Sequence, residues 1–139
     1  MRPKIIYFEK YFYKNAFRFL KKILNENQII LISGGNSLRK ILKRSNEKNK
    51  INRPRVIILS DERIYNNLND IRTNYTNLRK NFFSSFIFSN LKFIYFKLGQ
   101  DDKTIVNTFY QKIKNKIPEA AILSLGSDGH ICSILGNTK

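Results

Sequence analysis

The chain is short of several things, and each shortage narrows what it can be. It has one cysteine, Cys132, in 139 residues. A single thiol closes no internal disulfide, so a reducing cytoplasm is the expected compartment. No apolar run approaches the roughly 18 residues of a membrane helix, and Arg2 with Lys4 leads into no signal-peptide core. A membrane partner is therefore not expected. Neither a Gly/Ser linker nor an internal repeat divides the sequence, so residues 1–139 are read as one domain. No P-loop and no complete dinucleotide fingerprint is present.

Negative charge is scarce too. Ten Asp and Glu stand against 26 Lys and Arg, a formal net charge of +16. The basic residues are spread along the whole length, and Lys, Asn and Ile are abundant together, as A/T-rich codons produce. A positive field suits a phosphorylated substrate as well as a nucleic acid. No nucleic-acid recognition motif accompanies the charge, so nucleic-acid binding is not expected.

What is present alternates. Residues 4–8 read as a short strand, and Tyr11 to Leu24 as an amphipathic helix with Phe12, Ala16, Phe19, Leu20, Ile23 and Leu24 as its core side. Gln28 to Ser33 is a second apolar run, followed by glycines and a helix from about Leu38 to Arg44. Ser45 to Arg53 is polar and reads as a surface loop. Val56 to Leu59 is a third run. An Asn- and Asp-rich loop at 66–73 leads to a helix over Asn74 to Phe83 that Thr73 can cap. A strand follows around Phe93 to Phe96. A helix then runs from Asp101 to Lys116, stopped by Pro118. The last run begins at Ala120. This order predicts an α/β fold: a Rossmann-like three-layer sandwich with a mostly parallel sheet and helices on both faces.

Three apolar runs stop in turns that carry chemistry. Ser33-Gly34-Gly35-Asn36-Ser37 places glycines and a hydroxyl between a strand and a helix, a geometry whose free N–H groups can hold an anion. It is equally the form of an ordinary strand-to-helix turn. Ser60-Asp61-Glu62-Arg63 sets two carboxylates and a guanidinium at a strand end. These three side chains could pair with one another or could wall a site. Leu125-Gly126-Ser127-Asp128-Gly129-His130 holds the only histidine, one glycine away from a carboxylate. In open parallel sheets, ligands sit just beyond the carboxyl ends of the strands. Cys132, two residues past His130, reads as a small apolar filler rather than a nucleophile.

The series Ser33-Gly34-Gly35-Asn36-Ser37, Asp61-Glu62-Arg63 with Thr73-Asn74-Tyr75, and Leu125-Gly126-Ser127-Asp128-Gly129-His130 resembles the motif set of 6-phosphogluconolactonases. These share a superfamily with glucosamine-6-phosphate isomerases. Arg63 resembles the lactonase branch, since the isomerase branch usually has tyrosine there. The resemblance implies hydrolysis of 6-phosphogluconolactone in the oxidative pentose phosphate pathway, with no metal or nucleotide cofactor. It implies that His130 is the general base, that Asp128 orients it, that Arg63 binds substrate or steadies the turn, and that Asp61 lines the site. Ser33, Gly34, Gly35, Asn36, Ser37, Gly126 and Gly129 would surround the substrate and its phosphate. The sugar phosphate is the expected partner. Alternatives are an isomerase/deaminase in which Asp61 moves a proton, and a non-catalytic remnant that binds sugar phosphates.

The sequence departs from the family's pattern at three places. Leu38 stands where a proline usually begins the helix, Glu119 where an aspartate precedes the last strand, and Ser133-Ile134-Leu135-Gly136 lacks a proline after the histidine. Family members also continue beyond this histidine. The resemblance therefore implies a domain lacking its C-terminal third and marginally stable alone, with room for an oligomeric partner or a complementing segment.

Overall fold

A computed structural model describes residues 11–42, 49–51, 54–63, 69–88 and 90–134. The strand expected at residues 4–8 lies outside them. Among the described residues there are six strands: β1 (Ile29–Ile32), β2 (Asn49–Ile51), β3 (Val56–Leu59), β4 (Phe86–Phe88), β5 (Lys92–Ile94) and β6 (Ala120–Ile122). The helices are α1 (Phe12–Glu26), α2 (Asn36–Leu42), α3 (Asn74–Asn77), α4 (Phe83–Ser85) and α5 (Asp102–Ile113). A π-helical turn over Leu78–Phe82 joins α3 to α4, so residues 74–85 form one continuous helical stretch.

The main sheet has the order β5-β3-β1-β6, and all its pairs are parallel. The apolar runs of β1 and β3 explain its centre: strands covered on both faces need no polar alternation. In register, Ile30 and Ile32 pair with Ile57 and Leu59 and share one face. That face meets Leu20 and Leu24 of α1, Leu38 and Leu42 of α2, and Leu78 and Phe82 of the π turn in one buried cluster. Ile58 and Ile94, also paired in register, point the other way. With Ile105 of α5 they are buried outside that cluster, and α5 lies against β5. The fold is thus the expected α/β arrangement, with helices on both faces of a parallel sheet.

Three expectations need correction. Residues 45–53 are not all loop: Asn49–Ile51 forms β2, which pairs in parallel with β4 as a second, two-stranded sheet. Ile51 is fully buried there, so one anchored side chain and a partner strand hold a segment too short to show a pattern. On α1, Phe12 and Phe19 are 50% and 42% exposed rather than core. The core stripe runs through Phe17, Leu20, Ile23 and Leu24, and Phe19 sits about 100° around the helix from Leu20. Phe17 stacks on Phe86 of β4 at 5.6 Å between centroids. Finally, the strand read around Phe93 to Phe96 ends at Ile94. Phe96 leaves the sheet to stack on Phe109 of α5 at 3.9 Å.

Two departures from the family pattern find their place here. Leu38 is 5% exposed and joins the core that α2 covers. Glu119 accepts the Gln28 backbone N–H at 2.8 Å, so it ties the start of β6 to the start of β1.

The chain leaves β1 for β3 on one side and returns to β6 on the other. The reversal therefore falls between β1 and β6, the position where parallel sheets open a crevice at their carboxyl ends. Ser33, Ser60 and Ser124 follow β1, β3 and β6 there. The backbone N–H groups of the first two extend the ladder: Ser33 donates to the Ile122 carbonyl and Ser60 to the Ile32 carbonyl, each at 2.9 Å.

Candidate active site

The three chemistry-bearing turns meet at this edge around a cavity of about 210 Å³. Ser33, Gly35, Asn36 and Ser37 line it from the end of β1 and the start of α2. Asp61 and Arg63 line it from the end of β3, with Asn74 of α3 beside them. Ser124, Leu125, Gly126, His130 and Cys132 close it from the loop after β6. Gly34, Asp128 and Gly129, expected to take part, are not in the wall.

Gly34 has a packing role that its sequence context does not suggest. A Cβ at Gly34 would lie 2.5 Å from Asn74 Cβ and 2.7 Å from Asn74 Cα. Contacts that short do not occur, so the absent side chain is what lets α3 press against the β1–α2 turn. Gly35 likewise leaves room for the Ser124 hydroxyl, which a Cβ would meet at 2.6 Å. Gly129 has a φ of +86° and carries the tight turn that brings Asp128 and His130 together.

Nδ1 of His130 lies 2.5 Å from Oδ1 of Asp128. An ionised carboxylate only accepts, so Nδ1 carries a proton, and in the neutral ring Nε2 is then the nitrogen with the free lone pair. The hydrogen bond from His130 holds the Asp128 carboxyl below its ordinary pKa. The turn is closed by the Gly126 N–H donating to the His130 carbonyl at 2.8 Å. The His130 ring and the Asp128 carboxylate sit directly over Gly126, where a Cβ would collide with both.

The loop is anchored to two neighbouring strands. The buried Ser33 hydroxyl accepts the Ser124 N–H at 2.9 Å and donates to the Ser124 hydroxyl at 2.9 Å. Ser133 donates to Asp61 Oδ2 at 2.7 Å. The Ser60 hydroxyl reaches Asp61 Oδ1 at 2.7 Å and the Cys132 sulfur at 3.5 Å. Cys132 has a φ of +55°, a backbone region that side-chain-bearing residues enter rarely.

Asp61, Glu62 and Arg63 do not neutralise one another: among the described residues their side chains form no ion pair. Asp61 is held by Ser60, by Ser133 and by the Asn74 amide, which donates to its Oδ2 at 3.1 Å and to its backbone carbonyl at 3.0 Å. Glu62 turns away from the cavity. Its Oε1 accepts the N–H groups of Arg63 and Asn74 at 2.7 and 2.6 Å, and its Oε2 accepts that of Tyr75 at 2.9 Å. Burial raises the Glu62 carboxyl above its ordinary pKa, and these three donors only partly offset that. Arg63 is exposed and faces the cavity.

Residue chemistry alone missed Ser124 and Leu125 of the wall, and above all Asn74. It is 8% exposed, lines the cavity and grips Asp61. The only signal was its place in the Thr73-Asn74-Tyr75 string downstream of Arg63.

A family model described as "Glucosamine-6-phosphate isomerases/6-phosphogluconolactonase" matches residues 12–139. The chain belongs to this family. The match spans nearly all of the chain and includes all three turns. Within the glucosamine-6-phosphate isomerase/6-phosphogluconolactonase family, it is 30% identical to the 6-phosphogluconolactonase of Borreliella burgdorferi over 142 aligned positions. That alignment covers 94% of this chain and 59% of the relative. The fold is similar to the crystal structure of a 6-phosphogluconolactonase from Shewanella baltica, with a TM-score of 0.64 at 18% identity over 87% of this chain and 55% of that one. It is also similar to the 6-phosphogluconolactonase of Thermotoga maritima, with a TM-score of 0.59 at 22% identity over 89% of this chain and 58% of that one. The chain thus spans somewhat over half the length of these family members. Among the described residues, no helix is long and apolar enough to cross a membrane.

Proposed function

We propose that this chain carries the active site of a 6-phosphogluconolactonase, and that it hydrolyses 6-phosphogluconolactone to 6-phosphogluconate. The observation that carries the reading is the Asp128–His130 pair, with His130 lining a cavity that the Gly35-Asn36-Ser37 turn also lines. A lactone is an activated ester, so it needs an aligned water and a base more than it needs a strong nucleophile.

Nε2 of His130 takes a proton from water as the water oxygen attacks the lactone carbonyl. Asp128 keeps the ring in the tautomer that can do this and stabilises the imidazolium that forms. The tetrahedral intermediate collapses with cleavage of the ring C–O bond. The departing alkoxide takes the proton from His130, which restores the base. Arg63 and the N–H and hydroxyl groups of Asn36 and Ser37 hold the phosphate, assisted by the partial positive charge at the start of α2.

The isomerase reading would ask Asp61 to move a proton. Its Oδ2 already accepts from both Asn74 and Ser133, and its Oδ1 from Ser60. A carboxylate so fully engaged favours holding over proton transfer, and this supports the lactonase.

The test is hydrolysis of 6-phosphogluconolactone above the spontaneous rate, with the chain and its His130→Ala variant side by side. General-base catalysis is typically worth ~10²–10⁴-fold, and a loss of that size is expected in the variant. Equal rates in the two proteins would remove His130 as the base. Sugar-phosphate binding without turnover in either would favour a binding remnant.

A further inference from the structure

Glu62 has no part in the chemistry described above, although it stands between two residues of the cavity wall. Its carboxylate spans two elements. Oε1 bridges the backbone N–H groups of Arg63 and Asn74, and Oε2 takes that of Tyr75. Asn74 and Tyr75 open α3, so Glu62 satisfies two N–H groups that the helix itself leaves without partners. Thr73 serves a third, accepting the Thr76 N–H at 3.1 Å. The first turn of α3 is thereby fastened to the end of β3.

That fastening sets Asn74, whose amide then grips Asp61 at its carboxylate and its carbonyl. Asp61 in turn receives the Ser133 hydroxyl from the loop that carries His130. A continuous run of hydrogen bonds therefore leads from Glu62 through Asn74, Asp61 and Ser133 to the histidine turn. Gly34 confirms how tight the arrangement is, since the Asn74 backbone leaves no room for a Cβ there.

We propose that Glu62 is a positioning residue for the lactonase reaction: by clamping the first turn of α3 it sets Asn74 and Asp61, and through them the placement of His130 over the substrate. This rests on the lactonase reading above. Glu62 touches no substrate, and its effect is on the alignment of the base, which acts on turnover more than on binding.

Two variants separate the clamp from the charge. Glu62→Gln keeps the shape but sets an NH₂ group against one of the backbone donors. Glu62→Asp keeps the charge but is one methylene too short to span both elements. Both are expected to lower kcat about tenfold or more, in keeping with the cost of small misalignments. KM should change less than kcat: Glu62 holds only the backbone N–H of Arg63, and the Gly35-Asn36-Ser37 turn is untouched. The chain has one histidine, so its imidazole Cε1–H signal in an NMR spectrum is unique, and it should move in both variants.

Parent-like kcat and imidazole signal in either variant would overturn the proposal. A defect in Glu62→Gln alone would show that charge, not the clamp, matters, and would also overturn it. If both variants fail to fold, Asn74→Ala decides. It leaves the backbone clamp intact and removes the link to Asp61 along with a side chain of the wall, so it should reproduce both the kcat loss and the shift of the imidazole signal, and a parent-like imidazole signal would sink the idea. If the parent chain does not turn over the lactone, the lactonase reading fails by itself. The imidazole signal then still decides whether Glu62 places His130.

Discussion

The Ser133 hydroxyl donates to the Asp61 carboxylate at 2.7 Å across 72 positions of sequence. It joins the loop after β6 to the end of β3, two strands that are not neighbours in the sheet. Because β1 lies between them, this bond links two strands that share no ladder of their own.

Ser133→Ala is expected to separate stability from activity. The bond ends on a charged acceptor but is exposed, so its loss should cost no more than about 1 kcal/mol in urea denaturation. His130 lies three residues away in the same loop, and on the positioning proposal its alignment depends on that tether. The kcat for lactone hydrolysis should fall about tenfold, with KM little changed. An unaltered kcat would show that the loop holds its shape without Asp61.

Two glycines should respond to alanine for opposite reasons. Gly34→Ala meets the Asn74 backbone, which cannot swing aside as a flexible side-chain end can. Overpacking of this kind costs about 1–3 kcal/mol, and it moves Asn74, so activity should fall with stability. Gly99 has open space around it but a φ of +95°. Gly99→Ala should lose about 1 kcal/mol through backbone strain alone and leave the kinetics unchanged. Thermal melts and lactonase assays on both proteins check this. Normal activity in Gly34→Ala would mean that α3 can shift without cost to the site.

Much of this was legible in the sequence where local physics and tertiary packing agree. Val56 to Leu59 was read and found over the same residues. The Thr73 cap was implied by residue type, and it accepts from the third residue of its helix; Asp101, read as the first residue of its helix, is instead the cap of α5 and accepts the Thr104 N–H. The three polar turns were read from strand ends, and the parallel order brings them together. What was not legible depends on partners distant in sequence. β2 and β4 are three residues each, and each exists because the other does. Phe12 and Phe19 look like core because apolar residues cover more than one side of α1, and only packing selects the side through Leu20 and Leu24. The clamp by Glu62 was hidden because its targets are backbone N–H groups, which leave no mark on the sequence.

Ahead of α3, Asp70 and Arg72 form a compact pair. Arg72 donates Nε to Oδ1 at 2.9 Å, a terminal nitrogen to Oδ2 at 2.6 Å, and its backbone N–H to Oδ1 at 2.9 Å. These hydrogen bonds pull the Asp70 carboxyl from 3.8 down to about 2. A carboxylate lowered in the folded state lends stability that is fully present above 3.8 and fades as pH falls toward about 2. An NMR titration of the Asp70 carboxyl should therefore show a midpoint near that lower value. Arg72→Ala should move it part of the way back, since the backbone donor remains. A midpoint near 3.8 in the parent protein would mean that the pair is not kept in solution.

The Asp128–His130 contact can be tested without substrate. The hydrogen bond from His130 is the main cause of the lowered Asp128 pKa. The same sign rule applies: the stabilisation is present above 3.8 and is lost as pH falls through the depressed folded value. In the parent chain the Asp128 carboxyl should titrate below 3.8, and His130→Ala should raise its midpoint toward that value. Asp128→Asn removes the charge that stabilises the imidazolium, so kcat should fall by at least about tenfold. The substrate's phosphate lies away from this pair in the proposed binding mode, so KM should change little. If His130→Ala leaves the Asp128 midpoint where it was, the two side chains are not joined in solution. Orientation of the base would then have to come from the Gly126–His130 backbone bond alone.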